Sequence, residues 1–341
     1  MIKEAIATLV EGRHLSAAEA EAVMSEIMAG EATQAQIGSF LTALRVKGET
    51  VEEIAGCARA MRSVALAVKP QRTDLIDTCG TGGDRSGTFN ISTTAAFVVA
   101  ASGLGVAKHG NRSISSQSGS ADVLEALGIR LDLEPEVVAQ SIDEVGFGFL
   151  FAPKLHPAMR HAIGPRREMG IRTIFNFLGP LCNPAGARMQ VMGVPLDSLV
   201  QPLAGVLKTL GSQAAFVVHG ADGLDELSTT GVNRLARFGA GGDDEVVVDE
   251  LDAMGLGLPR VSLADLKGGT AQENSELTVR VLKGERGPRR DVVLLNAAAA
   301  LVAGGKAGSL PNGLQAATDL VDSGAALGVL RQAVEFSRAH A

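Results

Sequence analysis

The stretch from Asp74 to Asp84, Asp-Leu-Ile-Asp-Thr-Cys-Gly-Thr-Gly-Gly-Asp, limits what this chain can fold into more than any other. Leu75 and Ile76, flanked by Asp and Thr, predict a short buried strand. Gly80, Gly82 and Gly83 cannot continue it, because they permit positive φ and let a ligand approach the backbone. Asn90-Ile91-Ser92-Thr93 then opens an Ala-rich run, Ala95 to Ala101, that predicts a helix with Ser92 or Thr93 as N-cap. Strand, glycine turn and helix N-terminus together suit an anion, since free N–H groups and the positive end of the helix dipole face the turn. Alone, Gly-x-Gly-Gly fits a plain tight βα turn equally well. The order is neither the Rossmann fingerprint nor a P-loop, for no Gly-Lys-Ser/Thr follows.

Before this stretch, residues 1–70 read as all-helical. Capping boxes recur at Ser16/Glu19, Thr33/Gln36 and Thr50/Glu53, with apolar residues at helical spacing after each. Gly30 and Gly48 stand where helices stop, and Pro70 closes the segment. So many apolar stripes on so short a segment predict a face buried against a second subunit, a homodimer through the helical part.

After Asp74, short strands alternate with helices, the signature of a mostly parallel sheet. Strands are predicted at Gly105–Ala107, Phe147–Phe151, Gln190–Val194 and Ala214–Val218, with an antiparallel edge from Arg234–Phe238 and Glu245–Val248. The stretch Pro157–Pro184, dense in Arg and Pro, reads as a crossing rather than a regular element. The expected architecture is α/β: a small helical N-terminal domain (1–70), joined by a returning segment near 166–187, and a larger domain (71–341) with a mostly parallel central sheet.

Three loops, each after a predicted strand, carry the chemistry. The first is Gly80–Asp84 with Asn90–Thr93. The second, Lys108–Ser120, offers an ammonium, Asn111, Arg112 and a row of hydroxyls, a set suited to phosphate oxygens. The third, Asp222–Glu226, places the carboxylates of Asp225 and Glu226 beside a glycine turn, and such carboxylates suit Mg²⁺. Ligands of open α/β sheets sit beyond the carboxyl ends of strands, so all three loops are expected to share one crevice. The three cysteines have no metal-ligand spacing, and Cys79 has no nearby His to activate it. A net charge of −7 and an aromatic content of 3% argue against a nucleic-acid partner. No apolar run approaches the roughly 20 residues that span a bilayer, and the N-terminus lacks a signal-peptide layout, so a cytoplasmic location is expected.

Taken in order, Gly80-Thr81-Gly82-Gly83-Asp84, Asn90–Thr93, Lys108-His109-Gly110-Asn111-Arg112, Ser118-Gly119-Ser120-Ala121-Asp122 and Asp225-Glu226 resemble the anthranilate phosphoribosyltransferase family nearly end to end. That resemblance implies Mg²⁺-dependent transfer of a phosphoribosyl group from phosphoribosyl pyrophosphate (PRPP) to anthranilate, a step of tryptophan biosynthesis. It implies PRPP over Gly80, Gly83, Asp84, Thr88, Asn90, Ile91, Ser92 and Thr93, with Lys108, Asn111, Ser115, Ser116 and Ser120 around its phosphates and ribose. Anthranilate would lie near Gly80, Asn111 and Arg166. Two Mg²⁺ ions are implied, one at Ser92 and one at Asp225 with Glu226. No residue is implied as acid or base, because an aryl amine is already a neutral nucleophile at pH 7. Gln117 departs from the family, which often has Lys there, and which of Arg166 and Arg167 faces the acceptor is left open. A pyrimidine nucleoside phosphorylase would carry Gly-Arg-Gly-Leu-Gly-His-Thr-Gly-Gly-Thr as its second loop, whereas this chain has Asn111-Arg112 and Ser118-Gly119-Ser120. A nucleic-acid-binding relative would have a basic groove and no Asp225-Glu226 pair.

Overall fold

Local capping sets where the first helices begin. These are α1 (Ile2–Val10), α2 (Ala17–Met28), α3 (Gln34–Lys47) and α4 (Val51–Ser63) in the computed structural model, which describes residues 1–113, 117–239 and 244–340. Ser16, Thr33 and Thr50 accept the N–H three residues on, and Glu19, Gln36 and Glu53 accept the cap N–H in return. All three predicted capping boxes are therefore present.

The period then changes to βα alternation. β1 (Leu75–Gly80), α5 (Ile91–Ala101), β2 (Gly105–Gly110), α6 (Ser120–Ala126), α7 (Pro135–Val145) and β3 (Phe147–Phe151) come first. Next are α8 (Ala152–Leu155), α9 (Arg160–Met169), α10 (Phe175–Leu181), β4 (Met189–Gly193), α11 (Val200–Thr209) and β5 (Ala214–His219). The antiparallel edge follows as β6 (Val232–Phe238) and β7 (Val247–Asp252), before α12 (Ala271–Leu282), α13 (Pro288–Ala303), α14 (Leu310–Asp322) and α15 (Ala325–Ala339).

One seven-stranded sheet runs β3-β2-β1-β4-β5-β6-β7. Its first five strands are parallel and the last two antiparallel. The order reverses between β1 and β4, and a crevice opens at the carboxyl ends of strands where an α/β sheet switches direction. The glycine stretch leaves β1 at that point.

Side chains alternate between the two sheet faces. Val191, Phe216 and Val218 share one apolar core with residues of α5, α13 and α15. Met192, Ala215, Val217 and Phe238 share another with α1–α4, α10 and α11. The interior of the helical segment is thus continuous with one face of the sheet. Among the described residues no helix is long and apolar enough to cross a membrane.

Several predicted boundaries differ: β1 runs through Gly80, which pairs with Gly193, and β7 spans Val247–Asp252 rather than Glu245–Val248. The 157–184 stretch is helical, not an irregular crossing: α9 tolerates Pro165 and α10 tolerates Pro180. Burial of Ala162, Phe175, Phe177, Leu178 and Leu181 in the second core outweighs the lost proline N–H bonds. β2 runs on to Gly110, because Lys108, His109 and Gly110 all pair with β3, so Lys108 is a strand residue rather than a loop residue.

Candidate active site

The glycine stretch is built to admit a carboxylate. Gly80 and Gly193 are paired across β1 and β4. A Cβ on Gly80 would strike the Asp225 carboxylate, and one on Gly193 the Asp225 carbonyl. Beyond Gly80 the backbone turns left-handed at Gly82 (φ 72°) and Gly83 (φ 81°), which favours glycine. The Gly82 N–H donates to Asp225 Oδ2 at 2.7 Å. The first and third loops therefore meet, and they do so at the switch point.

Glu226 completes the meeting. Its Oε1 accepts the Ser92 N–H at 3.0 Å, at the first turn of α5. Neither Ser92 nor Thr93 is the N-cap: that position is Asn90, without a side-chain cap bond. A carboxylate from another loop occupies the place a local cap would fill, which no local pattern reveals. Ile91 and Thr93 are buried at the start of α5.

Burial holds both carboxyls above their usual range. For Asp225 the neighbouring Asp84 adds to the rise. For Glu226, pushed up to about 8, the charge on Asp225 adds to it, while Lys108 opposes it. Lys108 is itself buried, its Nζ donates to the Thr78 carbonyl, and burial lowers its pKa. Among the described residues no group of three His, Cys, Asp or Glu is arranged to hold a metal. Two oxygen carboxylates with a serine hydroxyl nearby nevertheless fit Mg²⁺, which takes few protein ligands and completes its shell with water and phosphate.

The second loop joins through Asn90, whose Nδ2 donates to the Ser118 carbonyl at 3.3 Å. Asp122 organises this loop by accepting the N–H groups of Ser113 and Gly119. Ser120 opens α6 and donates its hydroxyl to the Asn111 carbonyl. Arg112 pairs with Asp122 and Glu125 and lies 5.6 Å over the Phe151 ring. Thr88 lies in the first loop, bridged to Lys267. Ser115 and Ser116 lie outside the described residues.

Arg166 is half-buried and Arg167 exposed. The Arg166 guanidinium lies 5.0 Å over the Phe175 ring, and burial lowers its pKa. His109 is packed. Its Nδ1 bonds the Gly179 carbonyl at 3.0 Å, its Nε2 meets His156 Nε2 at 3.2 Å, and burial drops its pKa to about 3. Cys79 is buried with its thiol raised well above the usual value, as a packing residue should be.

Three residues that sequence reasoning did not single out for the site support it. Arg172 donates to the Gly82 carbonyl at 2.9 Å. Asn274 donates to Asn90 Oδ1 at 2.9 Å and accepts the Gly269 N–H. Asn296, inside the Ala-rich α13, bonds both the N–H and the carbonyl of Leu227, next to Glu226. A depression of about 710 Å³, lined by Lys69, Gln71, Glu136 and Asp143 among others, opens before β1 at the opposite end of the strands.

Comparison with known proteins decides the family. Residues 72–327 match the model of the glycosyl transferase family a/b domain, and residues 3–65 that of its helical bundle domain. The chain is 56% identical over 337 residues to an anthranilate phosphoribosyltransferase of Pelotomaculum thermopropionicum, covering 99% of this chain and 97% of that one. It is 55% identical to the Moorella thermoacetica enzyme of the same name, over 98% of both chains.

The chain belongs to the anthranilate phosphoribosyltransferase family.

Solved anthranilate phosphoribosyltransferases have the same fold. The Thermus thermophilus structure superposes with a TM-score of 0.92 at 46% identity, covering 98% of this chain and 99% of that one. The Saccharomyces cerevisiae enzyme in complex with PRPP and Mg superposes at 0.88 with 28% identity, covering 99% and 98%. This chain thus has the expected α/β architecture, a helical bundle followed by a domain with a mostly parallel sheet.

Proposed function

We infer that the protein transfers the phosphoribosyl group of PRPP to the amine of anthranilate, releasing pyrophosphate, in tryptophan biosynthesis. The observation that carries this reading is the meeting of Gly82, Ser92, Asp225 and Glu226 at the sheet's switch point. It is a site of oxygen ligands and backbone donors rather than of nucleophiles.

The donor's diphosphate lies over Gly83, Asp84, Thr88 and Asn90–Thr93, where α5 presents its N-terminus and positive dipole end. Lys108 brings a cation to the floor of the site, with Ser115, Ser116 and Ser120 around the phosphates and ribose. Asp225 and Glu226 hold one Mg²⁺ and Ser92 a second. When bound, Mg²⁺ neutralises charge on the departing pyrophosphate. Arg166, stacked on Phe175, pairs with the anthranilate carboxylate beside Gly80 and Asn111. The aryl amine needs no strong base, and His109 is neutral at pH 7 with both ring nitrogens engaged. Catalysis then rests on alignment of amine and ribose and on stabilising the leaving group. The working form is a cytoplasmic homodimer through the helical segment.

Mixing the protein with Mg²⁺, PRPP and anthranilate and following anthranilate fluorescence tests this. The signal is expected to fall only when all three are present. A signal that persists in the complete mixture would overturn the reading.

A further inference from the structure

Arg172 stands between two parts of the molecule. It follows α9, which ends in left-handed Gly170 (φ 62°), and precedes α10, where the Thr173 N–H is held by Asn176 Oδ1 at 2.9 Å. α9 packs against α2 and α3 of the helical bundle. From this anchored backbone the guanidinium reaches across and donates to the Gly82 carbonyl at 2.9 Å. It lies so close to the next residue that a Cβ on Gly83 would overlap it. Gly82 is therefore held on both sides, its N–H by Asp225 and its carbonyl by Arg172.

A trans peptide points its carbonyl and its N–H in opposite directions, and the chain has no cis bond here. Anchoring the Gly82 carbonyl on Arg172 thus turns the Gly83 N–H away from Arg172. With left-handed φ at both glycines, this peptide would otherwise be among the easiest in the loop to rotate. We propose that Arg172 is a positioning residue for the reaction, fixing the Gly82–Gly83 peptide so that the Gly83 N–H is presented to the donor's diphosphate. The inference rests on the PRPP reading above and assigns to the segment on the helical bundle a direct hold on the phosphate loop.

In the full-length protein with Mg²⁺, Arg172→Gln is expected to raise the KM for PRPP about tenfold. Calorimetry with Mg²⁺-pyrophosphate should show binding weakened by a similar factor. The KM for anthranilate should stay within about twofold and thermal unfolding should not shift. Arg172→Lys keeps the charge and N–H donors but not the planar fork, and should recover part of the loss. Unchanged PRPP KM and pyrophosphate affinity in both variants would overturn the proposal. So would a loss shared equally between the two substrates, or one that merely tracks lowered thermal stability. A parent protein inactive on PRPP and anthranilate would instead refute the functional reading, and pyrophosphate binding would still judge Arg172.

Discussion

At the scale of single residues, Asp225 and Glu226 are held against their own preference. Each carboxyl is pushed above its unfolded value, Glu226 to about 8, chiefly by burial. A group whose folded pKa is raised contributes stability that is fully present below the unfolded pKa, near pH 4, and is lost as pH rises through the folded pKa. The metal-free protein should therefore lose stability as pH climbs from about 4 to 8. Asp225→Asn with Glu226→Gln should flatten that slope while lowering Mg²⁺-dependent turnover at least about a hundredfold. Chemical denaturation at several pH values, alongside the fluorescence assay, checks both; equal loss of folding and activity would make the pair structural. The pair was legible in sequence because two adjacent acids beside a glycine turn suit a metal. Arg172 and Asn296 were not, since each acts on a residue far away in the chain.

At the scale of elements, the site is held by helices reaching into loops. α13 reads as uniform apolar packing, yet its Asn296 clamps both peptide groups of Leu227 and so fixes the Asp225-Glu226 loop. Asn296→Ala leaves a buried N–H and carbonyl unpaired, a loss of about 2–3 kcal/mol. Denaturant unfolding should show that loss, and the Mg²⁺ concentration for half-maximal activity should rise. Unchanged stability and Mg²⁺ dependence would contradict the clamp. Capping boxes and βα alternation were readable because their causes are local. The helices α9 and α10 and the full length of β2 were not: Pro165 and Pro180 signal breaks, but packing against the bundle decides. Likewise Lys108 reads as a loop cation, and only its pairing with Phe149 of β3 shows it to be a buried strand residue.

At the scale of the whole molecule, one apolar core continues from α1 through the bundle to a face of the sheet. α1 and α3 pack together, yet Val10 on α1 is 73% exposed and Val46 on α3 82% exposed. Exposed branched apolar side chains on packed helices are what a subunit interface would cover. The protein is expected to run as a dimer by light scattering, and Val46→Glu to shift it toward monomers without unfolding it. A parent protein that is monomeric at micromolar concentration would refute this. The fold and the three-loop convergence were both legible at this scale, because parallel βα units put every loop in question at one end of the sheet.

Each proposed residue role requires one metal–diphosphate site between the glycine stretch, the start of α5 and the Asp225-Glu226 loop. Crystals grown with PRPP and Mn²⁺ in place of Mg²⁺ test it through anomalous scattering. The expected result is one peak at the Asp225 and Glu226 carboxylates and a second at the Ser92 hydroxyl, with the diphosphate between them and Gly83. PRPP bound elsewhere, or bound there with no metal peak beside either carboxylate, would contradict it.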